Sequence, residues 1–304
     1  MKNNRVKNSI LFTTVLVVLN VFEIKAQSND LIFENEDIRM YESYLSLNST
    51  GNIFPTLYNQ GLIYASNHKS NNYKLFYSDL KSEPKKFKIG SKYNLGAVAI
   101  FNNEIYFTGV TKKLSSFGTN NFTIYKGEII DFKVKDVVQL PICSLDFSYT
   151  YPAIYKDGTK MIVVTNEKGR LHLLELRRNK NNEWEKGEVI YISHPEFEII
   201  NPTYYNENTI YFASNINDGK ITRVAYDKNE NGELLVSEVE REQGSFNIYK
   251  IEKKNEIWGI PIKLEFFNSD FDDLGVVFIN ESSGYLTSFR YSNTDNIYYF
   301  ELKN

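Results

Sequence analysis

Beyond residue 26 apolar side chains recur in short blocks, and the three-to-four-residue spacing of an amphipathic helix is almost absent. Leu62-Ile63-Tyr64-Ala65-Ser66, Glu104-Ile105-Tyr106-Phe107-Thr108, Lys160-Met161-Ile162-Val163-Val164-Thr165 and Thr209-Ile210-Tyr211-Phe212-Ala213-Ser214 are β-branched or aromatic and bounded by Asn, Gly, Asp or Lys. Such runs predict strands largely buried on both faces. Each closes a longer unit: FPTLYNQGLIYASN from Phe54, LGAVAIFNNEIYFTG from Leu95, YPAIYKDGTKMIVVTN from Tyr151 and NPTYYNENTIYFASN from Asn201. In every unit a Pro or small residue precedes a short strand, a polar turn and an apolar strand. A further strand-forming stretch follows at 73–80 (YKLFYSDL), 122–129 (FTIYKGEI), 170–177 (RLHLLELR) and, more weakly, 220–227 (KITRVAYD). Measured from Asn67, Gly109, Asn166 and Asn215 the units lie 42, 57 and 49 residues apart. That is the length of a four-stranded propeller blade, so the fold class is all-β and the architecture a single β-propeller.

The interval from Asn215 to Arg290 is 75 residues, too long for one blade and short of two. Five blades are preferred, with residues 228–245 as an extra hairpin or long loop. Six are the alternative, if 220–262 makes its own sheet. The final unit supplies only three strands, 275–279, 284–289 and 296–302, and an open edge there would leave a row of unpaired backbone groups. Residues 38–47 (IRMYESYLSL) are rich in strand formers. They are expected to pair with 296–302 as the outer strand of the last blade, bringing both chain ends into one sheet.

Residues 1–26 stand outside the repeat. Lys2, Arg5 and Lys7 precede an apolar run of 13 residues, Ile10 to Phe22, which is short for a membrane span and suited to a secretory signal. Cleavage after Ala26 leaves 27–304 as the propeller domain, with 31 basic against 37 acidic residues. A retained N-terminal anchor is the competing reading. No Cys follows the apolar run, so a lipoprotein anchor is not indicated, and no stable membrane insertion is expected after cleavage. Net charge over the whole chain is -3 with both signs interspersed, which gives nucleic acid no basic footprint. One cysteine, Cys143, rules out an intrachain disulfide framework and a Cys-based zinc site, and His68, His172 and His194 are scattered.

The stretch 246–300 carries the most specific pattern: Ile248-Tyr249, then Trp258 to Pro261, Asn268-Ser269, Asp272-Asp273, Gly284 to Arg290, and Asp295 to Tyr298. In order and spacing it resembles the WD40-like, TolB-type propeller repeats of Gram-negative envelope proteins, and residues 52–227 resemble them more weakly. Phe289 stands where the repeats usually carry Asn, and Tyr291-Ser292-Asn293-Thr294 replaces their Gly-rich turn. The resemblance implies a periplasmic location, or a secreted or cell-surface one. It also implies a role beside other envelope proteins, since similar propellers are often fused to OmpA-like domains or accompany secretion components. This chain ends at Asn304 directly after the last strand, so the expected partner is another envelope protein bound noncovalently.

No residues are nominated as catalytic, cofactor-binding or metal-binding. Asp270, Asp272 and Asp273 are carboxylates that calcium could use, but beside Asn268 and Ser269 and without a Gly-bearing ligand loop they read as turn caps. His172 reads as a partly buried strand residue, since no Gly-x-Ser-x-Gly elbow accompanies it. Cys143 reads as a buried thiol with no local base. Asn48, Asn121 and Asn280 fit the glycosylation pattern, which matters only in a host that uses it. The function expected is a non-enzymatic interaction module. Against it stand a glycan-active enzyme with carboxylates at the channel mouth, and a binder of sugar or peptide through exposed Tyr.

Overall fold

The computed structural model describes residues 30–303 apart from 47–49, 69–71, 90–95, 217, 229, 231 and 243. The expected signal segment, its cleavage point and Asn48 lie outside the described residues. Two strands come first, β1 (Leu31–Glu34) and β2 (Ile38–Glu42). Blade 1 holds β3 (Asn52–Tyr58), β4 (Gly61–Ser66), β5 (Lys74–Ser78) and β6 (Lys85–Lys86). Blade 2 holds β7 (Val98–Phe101), β8 (Glu104–Val110), β9 (Phe122–Ile130) and β10 (Lys133–Gln139). Blade 3 holds β11 (Tyr149–Ile154), β12 (Lys160–Thr165), β13 (His172–Arg178) and β14 (Trp184–Ile192). In blade 4, β15 (Ile199–Asn206) and β16 (Thr209–Ser214) are followed by a hairpin, β17 (Ile221–Lys228) and β18 (Leu234–Arg241). The chain then re-enters the blade as β19 (Asn247–Lys254), edged by β20 (Ile257–Trp258) and β21 (Ile262–Lys263). Blade 5 is β22 (Asp273–Asn280), β23 (Ser283–Ser288) and β24 (Asn296–Leu302), completed by β2 and β1. The molecule is a five-bladed β-propeller of antiparallel sheets.

The uninterrupted apolar runs have a simple cause. Each blade packs on a neighbour on either side, so the alternating side chains of a strand feed two cores. In β4, Ile63 and Ala65 pack toward Phe107 and Tyr125 of blade 2, while Leu62 and Tyr64 pack toward Tyr285 and Ile297 of blade 5. In β12, Met161 and Val163 meet Tyr106 and Ile124 of blade 2, and Ile162 meets Phe212 of blade 4. Tyr211 and Ile248 of blade 4 meet Val276 and Phe300 of blade 5. Each blade junction has its own apolar cluster. Burying one such side chain contributes about 1.5–3 kcal/mol.

The N-terminal strand closes the ring as its strand-forming composition implies. Ile38 pairs with Leu302, Met40 with Phe300 and Glu42 with Tyr298. Pairing stops at Glu42. Beyond it the Ser46 hydroxyl donates to the Ile297 carbonyl at 2.9 Å, and Ser43 does the same. β1 folds back on β2 as a fifth strand, with Glu34 bonded to Arg39 and Lys303.

Blade 4 corrects one expectation. Residues 220–227 do not form its third strand: 221–228 are the first arm of the inserted hairpin, and β19 pairs with β16 instead. A strand between two blades needs apolar groups on both faces. β19 has them in the buried Ile248, Tyr249 and Ile251, whereas Thr222 and Arg223 are exposed. The hairpin spans 221–241 and not 228–245. Among the described residues no helix is long and apolar enough to cross a membrane.

Candidate functional site

The five inner strands β3, β7, β11, β15 and β22 line an axial cavity of about 220 Å³. Its wall is built by a bulge repeated around the ring. Register breaks between Ile53 and Thr56, Thr150 and Ala153, Ile200 and Thr203, and Asp273 and Gly275. At three of these bulges the residue before a proline takes the left-handed conformation: Phe54 (φ 55), Tyr151 (φ 49) and Asn201 (φ 47), preceding Pro55, Pro152 and Pro202. That geometry is costly for aromatic residues, and such strain persists only where the surroundings impose it. The imposed partners are visible. The Phe54 amide donates to the Thr287 hydroxyl of blade 5, and the Tyr151 amide to the Thr108 hydroxyl of blade 2, both at 3.2 Å. At the fourth bulge Gly275 (φ 150) leaves room for Asn201, whose Nδ2 would lie 1.8 Å from a Cβ there.

The bulges aim side chains at the axis. Phe54 of blade 1 and Tyr151 of blade 3 meet edge to face at 6.0 Å and constrict the channel at this level. Toward the other end the cavity opens between the turns that join the first and second strands of each blade. Tyr155, Lys156, Tyr204, Tyr205 and Phe278 stand there. Tyr205 packs on Phe278 at 4.8 Å and its hydroxyl donates to the Glu281 carbonyl, while Tyr155 packs on Tyr204 at 5.2 Å. Burial raises the Tyr204 and Tyr151 hydroxyls above the ordinary range, so both stay neutral. Two carboxylates on the turns at this mouth, Asp157 and Glu207, are engaged, while Glu281 on the blade 5 turn is exposed. Burial pulls Asp157 upward, but bonds from the Thr159 amide and hydroxyl outweigh it and hold it below its usual value. Glu207 pairs with Lys160, which lowers it too.

The residues singled out in the sequence do not gather here. Asp273 is fully buried and bonds Arg290 at 2.5 Å. It also accepts from the Ser269 amide at 2.7 Å and hydroxyl at 3.0 Å. Arg290 reaches Ser288, the Phe267 carbonyl and Met40 besides, so this pair ties blade 4, blade 5 and the closing strand together. Asp272 accepts the Phe246 amide. Among the described residues no three His, Cys, Asp or Glu side chains converge as metal ligands would. His172 is buried with Nδ1 at 3.0 Å from the Arg170 carbonyl, His68 lies against Phe76, and His194 lies beside Glu196. Cys143 is a buried free thiol, pushed up by burial.

Sequence reasoning passed over a polar knot between blades 2 and 3. Glu104 accepts from Lys126, from Arg178 at 2.9 Å and from the Tyr106 hydroxyl at 2.7 Å. The Arg178 guanidinium sits 4.6 Å from the Trp184 ring centre and 5.5 Å from that of Phe101. Burial acts to raise Glu104, but these three hydrogen bonds prevail and lower it. Glu104 and Tyr106 share β8, but Lys126, Arg178 and Trp184 come from β9, β13 and β14, so no local motif announces it.

Five antiparallel blades around an aromatic-rimmed axial cavity define the class: a β-propeller whose cavity opens at one mouth. No family model matches the chain, and no curated protein matches it. Among solved structures, a putative TolB from Agrobacterium tumefaciens is similar over 89% of this chain and 85% of its own, at 12% identity and TM-score 0.42. TolB from Acinetobacter baumannii is similar over 88% of this chain and 61% of its own, at 10% identity and TM-score 0.46. A gluconolactonase from Xanthomonas campestris is similar over 88% and 80%, at 11% identity and TM-score 0.44. The propeller assignment rests on the five sheets themselves.

Proposed function

We propose that this chain is an exported, non-enzymatic propeller of the cell envelope that docks another envelope protein through the open mouth of its axial cavity. The observation that carries the reading is the make-up of that mouth. Tyr155, Tyr205 and Phe278 offer large, rigid, amphipathic contact area, with little rotamer entropy to lose on binding. The neighbouring Asp157 and Glu207 are committed to Thr159 and Lys160. A glycan hydrolase would need a free pair of carboxylates flanking the bond to be cleaved. The basic residues and short apolar run at the N-terminus support export, and the TolB-type pattern of 246–300 supports an envelope setting.

The test is affinity capture from envelope extracts with a chain beginning at Gln27, which contains every strand of the ring. The Tyr155→Ala/Tyr205→Ala variant serves as the comparison. A specific protein is retained by the parent and lost by about tenfold or more in the variant, as for truncated aromatic anchors. Equal retention by both removes the mouth as the docking surface.

A further inference from the structure

At the end of the ring opposite the open mouth, the loop between β8 and β9 is built to hold apolar side chains in water. Leu114 is 59% and Phe117 79% exposed, and Val110 and Phe122 at the loop's base are also exposed. The loop is firmly tied. The buried Ser115 hydroxyl accepts the Phe117 amide at 3.2 Å and the Thr119 amide at 3.1 Å, and lies 2.8 Å from the Thr119 hydroxyl. The Ser115 amide donates to the Thr119 carbonyl, and Thr111 pairs with Asn121 across the base. Ser116 donates to Asp146 at 2.6 Å, and Asn121 to the Leu145 carbonyl at 2.8 Å. A fold that spends this many hydrogen bonds to keep a phenylalanine outside presents it preorganised for a partner.

Charge around the tip identifies the partner. Lys112 and Lys113 immediately precede Leu114 on the loop. The segment 144–148 that anchors the loop is joined through Ser148 to Asn166, at the start of the blade 3 turn that carries Lys168 and Arg170. All four cations are exposed, and none is in an ion pair among the described residues. The acids closest in the chain of contacts are occupied, Asp146 by Ser116 and Glu167 by Lys186. Two exposed apolar side chains, with two lysines beside them on the loop and two further exposed cations on the turn joined to the loop's anchor, match the layering of an anionic bilayer surface, with its charged headgroups over acyl chains. An apolar pocket on a protein would need the apolar pair but not the cations.

We infer that the Leu114–Phe117 tip, with Lys112, Lys113, Lys168 and Arg170, is a peripheral docking site for an anionic lipid surface. Phe117 enters the interface, the four cations meet the headgroups, and the open mouth of the cavity faces away from the bilayer. The attachment is reversible and shallow, and distinct from a membrane span.

The test is co-sedimentation of the chain beginning at Gln27, which lacks the apolar run at 10–22, with two kinds of vesicle. One is phosphatidylcholine alone; the other is phosphatidylcholine and phosphatidylglycerol in equal parts. The chain is expected to sediment with the anionic vesicles, to ignore the neutral ones, and to be released by added salt. Leu114→Ala/Phe117→Ala and Lys112→Gln/Lys113→Gln/Lys168→Gln/Arg170→Gln should each weaken vesicle binding by roughly tenfold or more, with melting temperatures unchanged. Phe117→Trp keeps the aromatic group, and the indole emission it adds should shift to the blue on anionic vesicles. A parent that stays in the supernatant, variants that sediment like the parent, or an added indole emission indifferent to lipid overturns the proposal. So does retention by an acidic envelope protein through Phe117 in the absence of vesicle binding.

Discussion

Single side chains in this ring work mostly by tying one blade to the next. Asp273 and Arg290, paired within blade 5, do so through Arg290's contacts to the Phe267 carbonyl and Met40, in a setting where removing one partner would strand a buried charge. Glu104 does the same between blades 2 and 3, and its chemistry gives a pH signature. The folded state lowers its pKa through Lys126, Tyr106 and Arg178. Its stabilising contribution is therefore fully present above the unfolded pKa and is lost as pH falls through the folded one. Glu104→Gln should cost about 1.5–3 kcal/mol at neutral pH, the usual size for hydrogen bonds to a charged group. The gap to the parent, read from urea midpoints at successive pH values, should shrink on acidification. A gap that stays constant well below the carboxylate range would show that Glu104 contributes packing and no charge. The left-handed Phe54 and Tyr151 are the other residue-scale feature, and both point to the axis as the place where the fold tolerates strain.

At the scale of elements, the strand that closes the ring is the most consequential. β2 adds Ile38 and Met40, both fully buried, to the cluster shared with Phe267 and Phe300. Deleting residues 27–47 removes both side chains and bares β24. On burial alone the loss is on the order of 4–10 kcal/mol. Thermal unfolding should then show one transition at a clearly lower temperature. An unchanged midpoint would mean that the ring holds without its closing strand. This pairing was legible because residues 38–47 carry strand formers and the last blade lacked an outer strand. The second strands were legible for a related reason: two flanking cores make Tyr211 and Phe212 apolar neighbours in the sequence. The third strand of blade 4 was misread because the alternating 220–227 looks like any half-buried strand, and only its poverty of buried groups separates it from β19. The axial bulges announced their prolines but not their backbone, since nothing about Phe54 or Tyr151 in a sequence suggests positive φ. The tip at 111–121 was passed over because Leu114 and Phe117 are apolar residues placed in water, against the pattern by which elements are read.

The whole molecule is polar in the architectural sense. One end offers the aromatic mouth formed by Tyr155, Tyr205 and Phe278, and the other carries the basic, apolar tip at Phe117 and the inserted hairpin. On the two proposals above, the unlike ends would let the ring bridge a protein and a bilayer. The most direct measurement is site-specific photocrosslinking in the intact envelope. A photoreactive phenylalanine would replace Tyr205 at the mouth or, in a separate chain, Glu183 on the exposed outer turn of blade 3. Position 205 should give a discrete protein adduct that position 183 does not give. Equal adducts at both positions, or none at 205 in a correctly folded and exported chain, would contradict the account.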